Sequence, residues 1–277
     1  MRIIRAEDVV KAVRDACIEA CCCLPADVTT ALTRARDIEE GHSLAILEQL
    51  LENAQLSAQN MRPCCQDTGM AVVFADIGQD VYVEGDLTAA VNAGVAAGYS
   101  DGYLRKSVVS ALARKNTGDN TPAILHLRFV PGDTLELSIA PKGFGSENMS
   151  RVYMLAPADG KTGVLDAVVE TAVSAGACSC PPGVVGVGIG GTMEAAALLA
   201  KRQLLRPLGQ PSPDQEIAEI EEEALNRINQ SGIGPMGLGG KTTALAVHMA
   251  QMPTHIAGLP VAINMQCHSC RHATRRL

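Results

Sequence analysis

A chain of 277 residues with no tryptophan, three phenylalanines and four tyrosines has to fill its interior with small aliphatic side chains. Aromatic residues make up 3% of it, whereas hydrophobic residues of all kinds make up 47%. An interior of that kind reaches native density only where helices and strands approach closely, which suits helices laid on a sheet. At this length the chain can bury roughly three quarters of its unfolded surface. The scarcity of rings argues against stacking platforms for nucleic acid. A net charge of −7 likewise offers nucleic acid no electrostatic footprint.

The first residues, Met1-Arg2-Ile3-Ile4-Arg5-Ala6-Glu7-Asp8, lack the apolar core of a signal peptide. No run of about 18 uncharged apolar residues stands out, so no membrane span is expected. A cytoplasmic setting follows as the expectation. The ten cysteines should then be metal ligands, catalytic groups or buried small hydrophobes, not a disulfide framework.

Apolar positions between residues 7 and 60 recur at helical spacing and predict helical hairpins. The first helix ends before Pro25 with Cys21, Cys22 and Cys23 in its last turn; two more cover 29–40 and 42–59. Adjacent helical side chains point about 100° apart, so those three cysteines cannot share one metal, and with Cys17 they read as packing thiols. Strands are predicted at 70–78 and 80–84, followed by a helix over 87–99. Segments 123–130 and 134–140 alternate with period two around Pro131-Gly132-Asp133, which predicts a hairpin. Residues 141–148 read as a Gly-rich polar turn opening a helix. Helices follow at 161–175, 192–205 and 215–228, strands at 183–189 and 259–265, and a segment of either kind at 242–250. No repeat or linker interrupts the pattern. The expectation is one domain over 1–277 of mixed α/β class, with a helical N-terminal region packed on mixed sheets surrounded by helices.

Three cysteines sit in settings that packing does not explain: Cys65 in Cys65-Gln66-Asp67-Thr68-Gly69, Cys180 before Pro181-Pro182, and Cys267 between Gln266 and His268. Three thiolates without a fourth leave one metal corner open, and an open corner is where Lewis-acid chemistry takes place. Asp67 either caps its turn or acts in proton transfer. Arg105, Lys106 and Lys142 are candidates for gripping a substrate carboxylate, arginine by its two-pronged geometry.

Other patterns carry less. Gly186-Val187-Gly188-Ile189-Gly190-Gly191 satisfies G-x-G-x-x-G, but the acidic residue expected about 20 positions on is missing, so close backbone packing is the better reading. Gly237-Leu238-Gly239-Gly240-Lys241-Thr242 resembles a phosphate loop, yet Pro235 stands where that pattern needs glycine. Its amides could still hold an anion such as a carboxylate, or it could be a plain loop. Cys267-His268-Ser269-Cys270 matches C-x-x-C without the second pair of a zinc ribbon. The acidic run 219–223 reads as a solvated helix face. The basic tail from Arg271 to Arg276 either grips an acidic group or frays in solvent. His126 reads as a surface or satisfied core residue, and His248 stands alone.

Together, Pro63-Cys64-Cys65-Gln66-Asp67-Thr68-Gly69-Met70-Ala71, Leu104-Arg105, Pro141-Lys142-Gly143-Phe144-Gly145-Ser146-Glu147-Asn148, Cys180-Pro181-Pro182 with the glycine run after it, the 237–242 loop and Gln266-Cys267-His268 resemble the iron–sulfur hydro-lyases. These are the class I fumarate hydratases and the L(+)-tartrate dehydratases. The resemblance implies a [4Fe-4S] cluster held by Cys65, Cys180 and Cys267, with Cys64, Cys178 and Cys270 outside the matched positions. It implies substrate contacts from Gln66, Asp67, Arg105 and the Gly143–Gly145 turn to a small dicarboxylate. Asp67 would pair with a catalytic threonine. In single-chain members a second domain after the third cysteine brings that threonine and further basic residues, whereas this chain stops ten residues after Cys267. The resemblance therefore implies an α subunit completed by a β subunit, in a hetero-oligomer of two α and two β chains. Hydration of fumarate to (S)-malate is the favoured activity, ahead of dehydration of L(+)-tartrate to oxaloacetate. Two rivals remain from other classes: an electron-transfer iron–sulfur protein using a fourth thiolate, and a nucleotide-binding enzyme using the glycine loops.

Overall fold

A computed structural model describes residues 1–277 throughout. The chain begins β1 (Arg2–Arg5), α1 (Ala6–Cys22), α2 (Ala26–Ile38), α3 (Gly41–Asn60), β2 (Met70–Gly78), β3 (Val81–Glu84) and α4 (Leu87–Asp101). It continues β4 (Ile124–Val130), β5 (Leu135–Lys142), α5 (Phe144–Glu147), β6 (Arg151–Leu155), α6 (Gly160–Ala175), β7 (Gly183–Gly191) and α7 (Met193–Gln203). It closes with α8 (Gln215–Asn229), β8 (Ala244–Thr254), β9 (Leu259–Gln266) and β10 (Ala273–Arg276). The mixed α/β class holds. The one expected domain resolves into two compact units interleaved in sequence: residues 1–25, 53–144 and 271–277 form unit 1, and residues 26–52 and 145–270 form unit 2. With each unit made of separate stretches, no single linker could mark the division.

Unit 1 is built on a four-stranded sheet in the order β10-β5-β2-β4. β2 is buried and apolar, antiparallel to β5 and parallel to β4. The predicted hairpin is therefore wrong, because β2 lies between its two arms. Separating them takes two ladder spacings, about 9–10 Å, and the 131–134 segment spans that width. It wraps the end of β2, where Gly78 N–H donates to Thr134 O, Gln79 N–H to Val130 O and Asp80 N–H to Gly132 O, each at 2.9 Å. The basic tail is not frayed either, since β10 pairs antiparallel with β5. α1 turns Val9, Ala12, Val13, Ala16, Cys17, Ala20 and Cys21 inward. Its neighbour α4 approaches so closely that a Cβ on Gly94 or Gly98 would stand 2.8 Å from Val10 O or 2.9 Å from Arg14 O. A window within residues 6–38 is, against expectation, apolar enough by composition to cross a membrane. The run breaks between Cys22 and Ala26, however, and the apolar stripe of α1 belongs to the unit 1 core.

Unit 2 holds a second sheet, β6-β9-β7-β8, with α6 and α8 packed in the core on one face and α7 on the other. The glycine run lies inside β7. A Cβ on Gly186 or Gly188 would meet Ala200 O at 2.3 Å or Ala196 O at 2.2 Å, so these glycines seat α7 against the strand. The segment of either kind at 242–250 resolves as strand from Ala244 onward, as β8. The turn at 141–148 opens only the single turn of α5, because the chain then joins β9 as β6. The acidic run is not wholly solvated: Glu221 is buried, accepts Met249 N–H at 2.6 Å and Ser212 N–H at 3.0 Å, and pairs with Arg206.

Candidate functional site

Of the residues singled out by sequence, Cys65, Gln66, Asp67, Arg105 and Gly143 belong to unit 1, and Gly145, Cys180 and Cys267 to unit 2.

In unit 1 the loop Cys65–Gly69 enters β2 and is fixed atom by atom. The Asp67 N–H points to Cys65 Sγ at 3.4 Å, and the Cys65 thiol lies 3.7 Å from Gln66 Oε1. Asp67 Oδ1 accepts Gly69 N–H at 3.0 Å and Oδ2 accepts Phe144 N–H at 2.8 Å, so the carboxylate both shapes its own turn and ties it to the chain after β5. The loop carbonyls are held from behind. Arg271 Nη2 donates to Asp67 O at 2.6 Å, and Tyr99 OH lies within bonding reach of Thr68 O (2.7 Å) and Gly69 O (3.0 Å). Asn120 Nδ2 donates to Gly69 O at 3.2 Å, while its Oδ1 accepts the N–H groups of Ser107 and Val108. Burial pushes the Tyr99 phenol well up, so it remains a donor. Thr68 Oγ1 donates to Arg105 O at 2.9 Å, fixing the backbone from which the exposed Arg105 guanidinium projects. Gly143 lies close against the site: a Cβ would stand 3.1 Å from Asp67 Oδ2 and 3.3 Å from Arg271 Nη2, so those side chains would have to give by a few tenths of an ångström. Lys142 is buried, and its ammonium donates to Gly143 O at 3.2 Å.

Sequence reasoning missed Tyr99, Asn120 and Arg271. Tyr99 carried a signal, as one of only four tyrosines in a chain that otherwise avoids rings. Arg271 was hidden in the basic tail, where charge pattern alone reads as solvent exposure. Of the four thiols read as packing, Cys17, Cys21 and Cys22 are buried and Cys23 is only partly so, and burial pushes Cys21 up to about 12.

In unit 2, Cys180 ends a short 3-10 turn in the left-handed region (φ 53°), a strained conformation for a residue with a Cβ. The carbonyl of Cys180 accepts the backbone N–H of His268 at 3.2 Å, and the His268 ring Nδ1 lies 3.2 Å from the same oxygen. This joins the Cys180 turn to the segment after β9. Cys267 is half-buried with its Sγ 3.2 Å from Ser269 Oγ. Cys270 is buried and donates to Leu204 O at 3.5 Å, so the two ends of C-x-x-C do different jobs. Cys178 is exposed. No group of three or more His, Cys, Asp or Glu side chains converges as the ligands of a single ion would.

The phosphate-loop look-alike has its own anion. Glu39, just past α2, accepts the N–H groups of both Lys241 and Thr242, and a Cβ on Gly240 would lie 2.9 Å from its Oε2.

Compared with known proteins, residues 10–276 match the family model described as fumarate hydratase (Fumerase). A Methanocaldococcus jannaschii protein, provisionally named L(+)-tartrate dehydratase subunit alpha, is 41% identical over 268 residues, spanning 94% of each chain. The L(+)-tartrate dehydratase subunit alpha of Escherichia coli strain UTI89 is 32% identical over 262 residues, spanning 92% of this chain and 86% of its own. That of Escherichia coli strain K12 is 32% identical over 259 residues, spanning 91% and 84%.

Proposed function

The chain belongs to the fumarate hydratase family, and on that premise we propose that it is the α subunit of a [4Fe-4S] hydro-lyase interconverting fumarate and (S)-malate. The cluster ligands in this reading are Cys65, Cys180 and Cys267. The donor set fits such a group. All three thiols are partly accessible, each lies on a turn fixed by hydrogen bonds, and Cys65 Sγ already receives a backbone N–H. When bound, the cluster would supply a Lewis-acidic iron with one vertex free of protein sulfur.

The chain's own groups then have defined tasks. Arg105 presents a planar fork to a substrate carboxylate. Gln66 offers an amide beside Cys65. Asp67 already holds two backbone N–H groups, one on each oxygen, and retains lone pairs for a further donor. It therefore serves to orient a partner's hydroxyl, in keeping with a catalytic threonine on a β subunit that adds further basic residues. A partner also accords with the relatives, whose names call them alpha subunits. The observation that carries the proposal is the loop Cys65–Gly69, where a half-buried thiol and a backbone-locked carboxylate share one rigid turn.

A second reading is favoured by those same names: dehydration of L(+)-tartrate to oxaloacetate. Anaerobic reconstitution with iron and sulfide, with and without the co-expressed partner, tests both. Fumarate–malate interconversion only in the presence of the partner is expected. Turnover of L(+)-tartrate alone would establish the second reading. Full activity from the isolated chain would refute the subunit assignment, and a loaded complex inert on both substrates would refute the hydro-lyase.

A further inference from the structure

β9 runs alongside β6 only as far as Ile263, the last residue of that ladder, which pairs with Arg151. Asn264, Met265 and Gln266 then continue toward Cys267 with β7 as their remaining strand neighbour. A strand end that has lost one neighbour leaves an N–H group without its ladder partner and is free to fray. Here side chains take the place of the missing strand. Ser150 Oγ accepts the Met265 N–H at 3.0 Å and also lies 3.1 Å from Asn264 Nδ2. The same Asn264 amide donates to Glu147 Oε2 at 3.0 Å. Glu147 Oε1 in turn receives the ammonium of Lys201 from α7. The result is a single chain of contacts from α7, through Glu147, Asn264 and Ser150, to the backbone two residues before Cys267. Asn264 is the first polar residue after five apolar ones in β9, and both charged side chains of the ion pair are largely withdrawn from water (19% and 24% exposed). Desolvated pairs of this kind add little stability and are better suited to fixing a geometry.

We propose that Glu147 and Ser150 are positioning residues for Cys267, acting as a side-chain replacement for the absent edge strand. The proposal rests on the reading of Cys267 as a cluster ligand, and the work of the pair is to hold that sulfur at one place before any iron arrives. Neither residue touches substrate in this assignment.

The test uses the full chain without its cluster, kept anaerobic and reduced, and measures the alkylation rate of each cysteine by iodoacetamide and peptide mass spectrometry. In Ser150→Ala and Glu147→Ala, Cys267 should react about fivefold faster, the equivalent of one lost hydrogen bond. Cys65 should keep its wild-type rate in the same samples. Ser150→Thr, which retains the hydroxyl, should restore the wild-type rate at Cys267. After reconstitution, both alanine variants should release iron faster than the wild type. An unchanged Cys267 rate, or an equal acceleration at Cys65, would overturn the proposal. Wild-type chain that binds no iron–sulfur cluster would overturn the functional reading instead, whatever the alkylation pattern.

Discussion

One oxygen of the Glu39 carboxylate accepts the backbone N–H of Thr242 at 2.6 Å and that of Lys241 at 2.8 Å, so the glycine loop of unit 2 closes on a residue of its own chain. Burial pushes this carboxyl up, but the amides of Lys241 and Thr242 and the hydroxyls of Ser43 and Thr242 outweigh it and hold it below the usual glutamate value. Glu39→Gln should lower stability by about 2 kcal/mol in urea titrations. Because the folded value is depressed, the contribution is complete above the ordinary glutamate pKa of about 4.3 and is lost as pH falls through the folded value. A loop that bound inorganic phosphate in the wild-type protein would contradict this arrangement.

His248 gives a second and separate pH dependence. Burial, with Arg206 nearby, lowers it to about 4, and its Nδ1 lies 3.3 Å from Gln203 O. The folded imidazole is neutral where the unfolded one, near 6.5, takes up a proton. Stability is thus full above about pH 6.5 and declines by roughly 3 kcal/mol as pH falls to about 4, with no further change from this group below that. Urea midpoints measured across this range should flatten in His248→Gln.

Asp67→Asn keeps the shape of the side chain but turns an amide nitrogen toward either Gly69 N–H or Phe144 N–H. One of two bonds must break. The melting temperature should fall by a few degrees, while turnover of the assembled enzyme should fall about a hundredfold through misplacement of the loop. Equal turnover with intact cluster would remove Asp67 from the site.

Iron content separates the thiols. Serine at Cys65, Cys180 or Cys267 should each abolish the cluster's visible absorption after reconstitution. Serine at Cys64, Cys178 or Cys270 should leave it. If any of the latter three proves necessary, the protein carries a fourth thiolate and the electron-transfer reading gains ground.

Gly188→Ala would set a methyl 2.2 Å from Ala196 O. The clash is with backbone, so α7 must lift from β7, and a loss of about 3 kcal/mol or insoluble expression is expected. Thermal unfolding of the variant decides the matter.

The long elements were legible because their periodicity reports their surroundings. α1 alternates a buried and a charged face, and β2 is apolar on both sides because it is central in its sheet. The false hairpin shows the limit: period two at 123–130 and 134–140 gives the strands but not their neighbour, which comes from more than 50 residues upstream. Burial of Cys17, Cys21 and Cys22 was legible because they follow the helical stripe of α1, whereas Cys23, read with them, sits at the helix end and is only partly buried. Glu221 and Arg271 could not be read, because a charge buried by distant partners looks in sequence like any charge on a surface.

Arg271 and β10 belong to unit 1, yet they are the last part of it to leave the ribosome. Until they emerge, Asp67 O lacks its guanidinium donor and β5 its outer neighbour. Vectorial synthesis therefore delivers the Cys65 loop more than 200 residues before its final clasp, and a nascent chain truncated ahead of Arg271 should expose that loop to protease. Emergence of residues 271–277, and not completion of the N-terminal half, sets the earliest moment at which unit 1 can close.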